Sequence, residues 1–309
     1  MELIPAKDFP AMEEGLAPIA HRVGPFPGSP FLQAWWEELS PPGELLLARQ
    51  PGTSMLLVRD GVRVELAGDS DLTDYHAPLG GDVFDLCREL AHQLVPGTTL
   101  SLDSLPAEAL KPIEEGLAAG GLFPIVTEHE VAMVVELPET ADAFYEMIGK
   151  KERHELRRKR RRYQSEVGPI EFSTERGPGF ALDEFIRLHR LSEGRKGEFM
   201  TPTREAFFRR LAVQPGWRLD LLSHRGQATA CLFAWVDDSA YYLYNSGYEP
   251  RYQHASPGMV ALATVMESVI DEGISYFDFL KGAESYKSRL GAQPRPLYRV
   301  EATVPEGFR

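Results

Sequence analysis

Four polar side chains with useful chemistry crowd residues 278–287, the stretch DFLKGAESYK. Asp278 and Glu284 bring carboxylates, Tyr286 a phenol and Lys287 an ammonium. A carboxylate here could take a proton from an attacking amine or hydroxyl, and a phenol could return one to a leaving group or hold a developing oxyanion. Lys287 is a candidate catalytic residue too, and equally a structural ion-pair partner of Asp278 or Glu284. No metal is expected. Cys87 and Cys231 lie far apart, and the eight histidines, His254 included, show no ligand spacing.

A second candidate lies upstream, in the run Gln253, His254, Ala255, Ser256, Pro257, Gly258, Met259 and Val260. Ser256 reads as a helix N-cap, with Pro257 at the first helical position, where its missing N–H costs nothing. Val260, Ala263, Val265, Met266, Val269 and Ile270 recur at helical spacing, and Gly273 suits a left-handed C-cap, so a helix is predicted over about 257–272. Free N–H groups and partial positive charge at such a helix start suit a pyrophosphate. An ordinary capped helix explains the same residues. Strands predicted over 240–245 and 274–280 flank the helix and complete a βαβ unit.

Composition bounds the rest. At 309 residues and 43% hydrophobic content, the chain is long enough for two packed domains. Net charge is −13, yet residues 150–162 hold nine Lys or Arg against two Glu. Acidity elsewhere argues against nonspecific nucleic-acid binding and focuses positive charge on one predicted helix. That helix has only Leu156 and Tyr163 as apolar anchors, so it either lies in solvent or bridges domains. Two scattered cysteines fit a reducing compartment, and the start, MELIPAKDFPAMEEG, lacks a signal-peptide core, so a cytoplasmic location is expected. No apolar run reaches membrane-span length.

Periodicity and turn signals predict mixed α/β structure along the whole chain. In the first part they give a tryptophan-bearing helix over 30–39, strands over 44–49, 54–59 and 62–66, helices over 83–94 and 107–118, and strands over 98–102, 122–127 and 131–137. Asp74, Tyr75 and His76 could line a cleft or close a strand edge. After the basic helix come a strand over 169–173, helices over 181–192 and 204–213, and strands over 218–223 and 229–236. The loop Arg195, Lys196 and Gly197 lies between those helices and could cover an acceptor, and His189 stands on the first of them, as a satisfied helix histidine or a catalytic base.

The spacing Gln253-x-x-Ser256-x-Gly258 resembles the Gln/Arg-x-x-Gly-x-Gly/Ala loop with which GNAT acetyltransferases hold the pyrophosphate of acetyl-CoA; Ser256 stands where the first glycine is expected. Taken with D-F-x-x-G-x-x-x-Y-K after it, the pattern resembles the cellulose-biosynthesis (CelD/BcsL) acetyltransferases, themselves similar to the Fem peptidyltransferases. The D-Y-x-x-P-L segment at 74–79 and the basic helix extend the likeness over most of the chain. The resemblance implies tandem GNAT-like domains, a degenerate one over 1–127 and an acyltransferase over 128–309, each with its own sheet. It further implies an acyl-CoA donor held by Gln253, Ser256, Gly258, Met259 and Val260, with the pantetheine lying like an added strand between the strands at 240–245 and 274–280, so that Tyr242, Tyr244 and Asn245 face the reaction cleft and bind substrate. Asp278 or Glu284 would accept the proton and Tyr286 would donate one, while Arg153, Arg157 and Arg158 would contact acceptor or phosphate.

Three function classes follow. The first is an acyl-CoA-dependent N- or O-acyltransferase acting on a sugar, an envelope precursor or a small amine. The second is a Fem-like transferase with aminoacyl-tRNA as donor. The third is a noncatalytic binding protein, if Ser256 closes the phosphate loop. Neither the acceptor nor the oligomeric state can be read from the sequence.

Overall fold

The computed structural model describes residues 1–12, 15–192 and 194–307. The chain divides into two units, Met1–Ala132 with Arg295–Arg309, and Met133–Pro294.

The first unit begins with β1 (Glu2–Ala6) and α1 (Ser29–Leu39), followed by the antiparallel meander β2 (Glu44–Gln50), β3 (Thr53–Asp60) and β4 (Arg63–Leu66). Gly61, at φ +59°, makes the tight reversal that Asp60-Gly61 predicts. The short β5 (Leu79–Gly80) pairs with β3, and α2 (Val83–Gln93), β6 (Thr99–Pro106), α3 (Ala107–Ala119) and β7 (Ile125–Glu136) follow. Leu86, Cys87 and Leu90 of α2 and Ala109, Ile113 and Leu117 of α3 repeat every three or four residues, so each helix turns one apolar stripe to the core. Leu46, Leu57, Val64, Leu100 and Leu102 of the strands meet that stripe.

The second unit carries α4 (Ala141–Met147) and the basic α5 (Gly149–Glu166), separated by Gly149 at φ +81°. β8 (Glu171–Glu175), α6 (Phe180–Arg190), α7 (Arg195–Phe199) and α8 (Pro202–Ala212) lead into β9 (Trp217–His224), β10 (Gln227–Val236) and β11 (Ala240–Tyr248). A 3-10 turn (Pro250–Ala255), α9 (Pro257–Asp271), β12 (Tyr276–Lys281) and α10 (Ser285–Arg289) complete it. β8 to β11 pair antiparallel in sequence, and β12 joins β11 in parallel. On one face Phe185 of α6 stacks on Phe233, which meets Phe208 of α8 edge-on and stacks on Trp217 at 4.9 Å. On the other face lies α9, with Val260, Ala263, Val265, Met266 and Val269 buried and α5 packed alongside.

The last strand, β13 (Gln293–Thr303), pairs antiparallel with β6 of the first unit. The fold is mixed α/β as expected. Within the first unit the strands follow the order β1-β2-β3-β4-β6-β13, and within the second the order β12-β11-β10-β9-β8. The predicted strands at 122–127 and 131–137 are one twelve-residue strand, β7, which runs through the division at Ala132.

Candidate active site

β11 and β12 pair in register at Ala240–Tyr276, Tyr241–Phe277 and Tyr242–Asp278. The pairing ends there, while β11 runs on to Tyr248. On the α9 side of this opening lies a cavity of about 350 Å³, lined by Leu232, Ser246, Gly247, Tyr248, Gln253, Ser256, Pro257, Gly258, Met259, Leu262 and Tyr286.

A bulge decides which residues of β11 reach it. Phe233 of β10 faces Asn245, but the next residue, Ala234, faces Leu243, leaving Tyr244 as the extra residue. One inserted residue reverses the alternation beyond it. Tyr242 packs on Trp235 at 5.6 Å and Tyr244 on Trp217 at 5.3 Å, both on the α6 and α8 face. Beyond the bulge Ser246 pairs with Leu232 and points to the α9 face. Ser246, Gly247 and Tyr248 line the cavity, and Tyr242, Tyr244 and Asn245 do not.

Ser256 does not cap α9 with its side chain, in contrast to the sequence reading. It sits at φ 55°, ψ 50°, because its N–H closes the preceding 3-10 turn on Gln253 O at 3.0 Å. Its carbonyl accepts from Met259 N–H and Val260 N–H, both at 3.1 Å. Gly258 N–H has no acceptor among the described residues. A Cβ on Gly258 would meet only Tyr248 Cδ1, at 3.5 Å, so the helix start is open towards the cavity.

The Ser256 hydroxyl instead accepts from Lys159 Nζ at 3.1 Å. Arg162 Nη1 donates to His254 O at 3.2 Å, and Arg160 pairs with Glu267 of α9. These contacts come from the inward face of α5. Arg157 and Arg158 are exposed, and Arg158 is turned onto Glu155 at 2.7 and 2.8 Å, which holds that carboxyl down to about 2. Arg153 is half-buried. Lys159 and Arg162 were missed in the sequence, although a signal existed: Lys159 lies three residues after Leu156 and four before Tyr163, on the face those two anchors define.

At the end of β12, alternation separates the predicted catalytic group. Phe277 and Phe279 lie 4.6 Å apart, tilted to one another, on the α9 side, and Phe279 meets Tyr286 edge-on at 6.1 Å. Asp278 therefore points to the opposite face; it is fully buried and accepts from Leu280 N–H at 2.7 Å. Burial, then the neighbouring Glu284, pushes the Tyr286 phenol up to about 12, so it stays protonated at neutral pH. Lys287 is buried and donates to Lys281 O at 2.7 Å, Gly282 O at 2.9 Å and Leu280 O at 3.3 Å. With Glu284 at 2.9 Å it closes the turn between β12 and α10. His189 is buried beside Phe185 and Phe199. The side chains of Arg195 and Lys196 lie outside the described residues. No group of three or more His, Cys, Asp or Glu that could hold a metal occurs among the described residues.

Residues 150–288 match the family described as Acetyltransferase (GNAT) domain. The match begins in α5 and ends in α10, so it takes in the cavity, the loop before α9 and the basic helix. No curated protein matches the chain. Among solved structures, L-PGS from Bacillus licheniformis is similar over 90% of this chain and 93% of that chain, at 15% identity and a TM-score of 0.59. A C-terminal domain ascribed to a lysylphosphatidylglycerol synthetase from Agrobacterium fabrum is similar over 88% and 86%, at 11% identity and 0.57. FemX is similar over 83% of each chain, at 11% identity and 0.50. The chain thus has a GNAT acetyltransferase-like fold with a Fem-like neighbour, which is the coarser part of the expected resemblance. No helix among the described residues is long and apolar enough to cross a membrane.

Proposed function

We propose that the protein is an acyltransferase that moves an acyl group, most simply acetyl, from acyl-CoA to an amine or hydroxyl of a polar acceptor such as a sugar, an envelope precursor or a small amine. The cavity at the α9 start carries this reading, because it joins an apolar interior at Leu232, Met259 and Leu262 to a helix start with a free N–H at Gly258. In this proposal the pyrophosphate lies at Gln253, Ser256, Gly258, Met259 and Val260. The pantetheine enters where β11 and β12 part. The acceptor atom attacks the thioester carbonyl from the other face, where Asp278 and Asn245 stand, and loses its proton there, with Glu284 as the second carboxylate. The carbon–sulfur bond breaks, and Tyr286, protonated on the donor side, gives its proton to the departing thiolate. Lys287 holds the turn that positions Tyr286. The resemblance to the cellulose-biosynthesis group, a degenerate first domain over 1–127, a transferase domain over 128–309 and a cytoplasmic setting belong to the same proposal.

A second reading has an observation of its own. Lys150, Lys151, His154, Arg157, Arg158 and Arg161 are exposed along α5, and the fold is shared with FemX, so an aminoacyl-tRNA donor could rest its phosphates there. The noncatalytic reading holds if Ser256 closes the phosphate loop.

The deciding experiment incubates the purified protein with acetyl-CoA and pools of amino sugars and polyamines and follows release of free CoA thiol. Binding of CoA with acceptor-dependent thiol release supports the proposal; tRNA binding without CoA binding selects the second reading.

A further inference from the structure

We infer that Lys159 is a donor-phosphate residue of this site and that Ser256 holds it there. The inference rests on the acyl-CoA reading above.

Ser256 occupies a left-handed backbone position that glycine takes more easily, and it does not use its side chain to cap α9. Its hydroxyl receives Lys159 Nζ from a helix 97 residues earlier in the chain. The loop does not need that contact to close, because Ser256 N–H already bonds Gln253 O and Ser256 O already takes Met259 and Val260. Lys159 is also not a free surface lysine: its side chain is 21% exposed, and its carboxylate contact, Glu155, stands off at 3.5 Å. An ammonium has three donors, and a hydroxyl supplies no compensating charge. Arg162, one turn on, bonds His254 O, so two cations of α5 meet residues 256 and 254, the first of which lines the cavity. An anion at the Gly258 N–H would lie two residues along the chain from the Ser256 hydroxyl that holds Lys159. The exchange of glycine for serine thus recruits a cation to the loop.

The apolar and charged ends of the donor can be tested apart. Calorimetric titrations with CoA, with uncharged S-acetylpantetheine and with inorganic pyrophosphate are compared in wild type, Lys159→Gln, Lys159→Arg, Ser256→Ala and the double variant Lys159→Gln/Ser256→Ala. Loss of one charge-assisted contact should weaken CoA about tenfold in Lys159→Gln. S-Acetylpantetheine should bind within about twofold of wild type, since it carries no phosphate. Lys159→Arg should keep most of the affinity, and the double variant should be no worse than Lys159→Gln, because the two residues act as one unit. Unchanged CoA affinity in Lys159→Gln overturns the inference, as does an equal loss for CoA and S-acetylpantetheine, which marks a merely structural lysine. If wild type binds neither, the acyl-CoA reading itself fails. Pyrophosphate then decides on Lys159 alone: binding lost in Lys159→Gln upholds the anion role, and absent or unchanged pyrophosphate binding overturns it.

Discussion

Arg218 Nε donates to Asp220 Oδ2 at 2.9 Å, two buried side chains of opposite charge on the same face of β9. Asp220 also accepts from Tyr241 O–H at 2.8 Å and Thr174 O–H at 2.5 Å, while the guanidinium continues to Glu272, at the end of α9, at 2.7 and 3.2 Å. The pair thereby ties α9 and β11, the two elements that border the cavity, to the sheet. Removing one partner leaves the other charged and buried, so Asp220→Ala should cost roughly 3–5 kcal/mol. Arg218→Met together with Asp220→Ala should recover much of that in urea denaturation. An Asp220→Ala variant as stable as wild type would show that Glu272 by itself compensates the arginine.

Gly258 separates room for a side chain from room for a ligand. Gly258→Ala adds a Cβ at ordinary contact distance from Tyr248 and should fold normally. Gly258→Glu places a carboxylate where the pyrophosphate is proposed to lie. Acetyl-CoA at a hundredfold excess over Kd should stabilise wild type by about 2.7 kcal/mol, and the glutamate variant not at all. Retained stabilisation in Gly258→Glu would falsify the phosphate assignment.

Tyr286 sets a pH dependence whose sign is fixed by its raised pKa. Below the unfolded tyrosine pKa of about 10 both states hold the proton and nothing changes. As pH rises from about 10 towards 12 the unfolded chain ionises first, and stability is lost, by at most roughly 2–3 kcal/mol. Tyr286→Phe should remove that share of the alkaline loss, measured as the difference in denaturation midpoint between pH 8 and pH 11. Equal alkaline losses in both proteins would place the phenol in water.

Salt separates the two donors. A nucleic acid gripped through several phosphates releases counterions, with a log–log slope of roughly −0.7 per contact for single strands, whereas CoA offers few contacts. Titrations at low and moderate salt, on wild type and on Arg157→Ala/Arg158→Ala/Arg161→Ala, should show CoA binding that changes little with either. Tight tRNA binding that survives moderate salt, vanishes in the triple variant and comes without CoA binding would transfer the assignment to the Fem-like reading.

What the sequence determined by itself is local. Helix periodicity and punctuation place α9 at Pro257–Asp271 against a predicted 257–272, and Asp60-Gly61 places the β3–β4 reversal, because both signals arise within a few residues of where they act. The tryptophan-bearing helix and α2 were legible for the same reason. Tertiary structure decided the rest. The bulge at Tyr244 depends on how β10 and β11 fit together, and it is what brings Ser246 and Tyr248, rather than Tyr242 and Asn245, to the cavity. Asp278 and Tyr286, eight residues apart in the chain, fall on opposite faces because strand alternation is fixed only once the sheet exists. Lys159 reaches Ser256 because α5 packs along α9, and β13 returns to β6; no local pattern records either choice. Residue types named the chemistry available, whereas long-range packing chose which side chains meet, since contacts between distant segments are set by the burial of whole faces and not by neighbours in sequence.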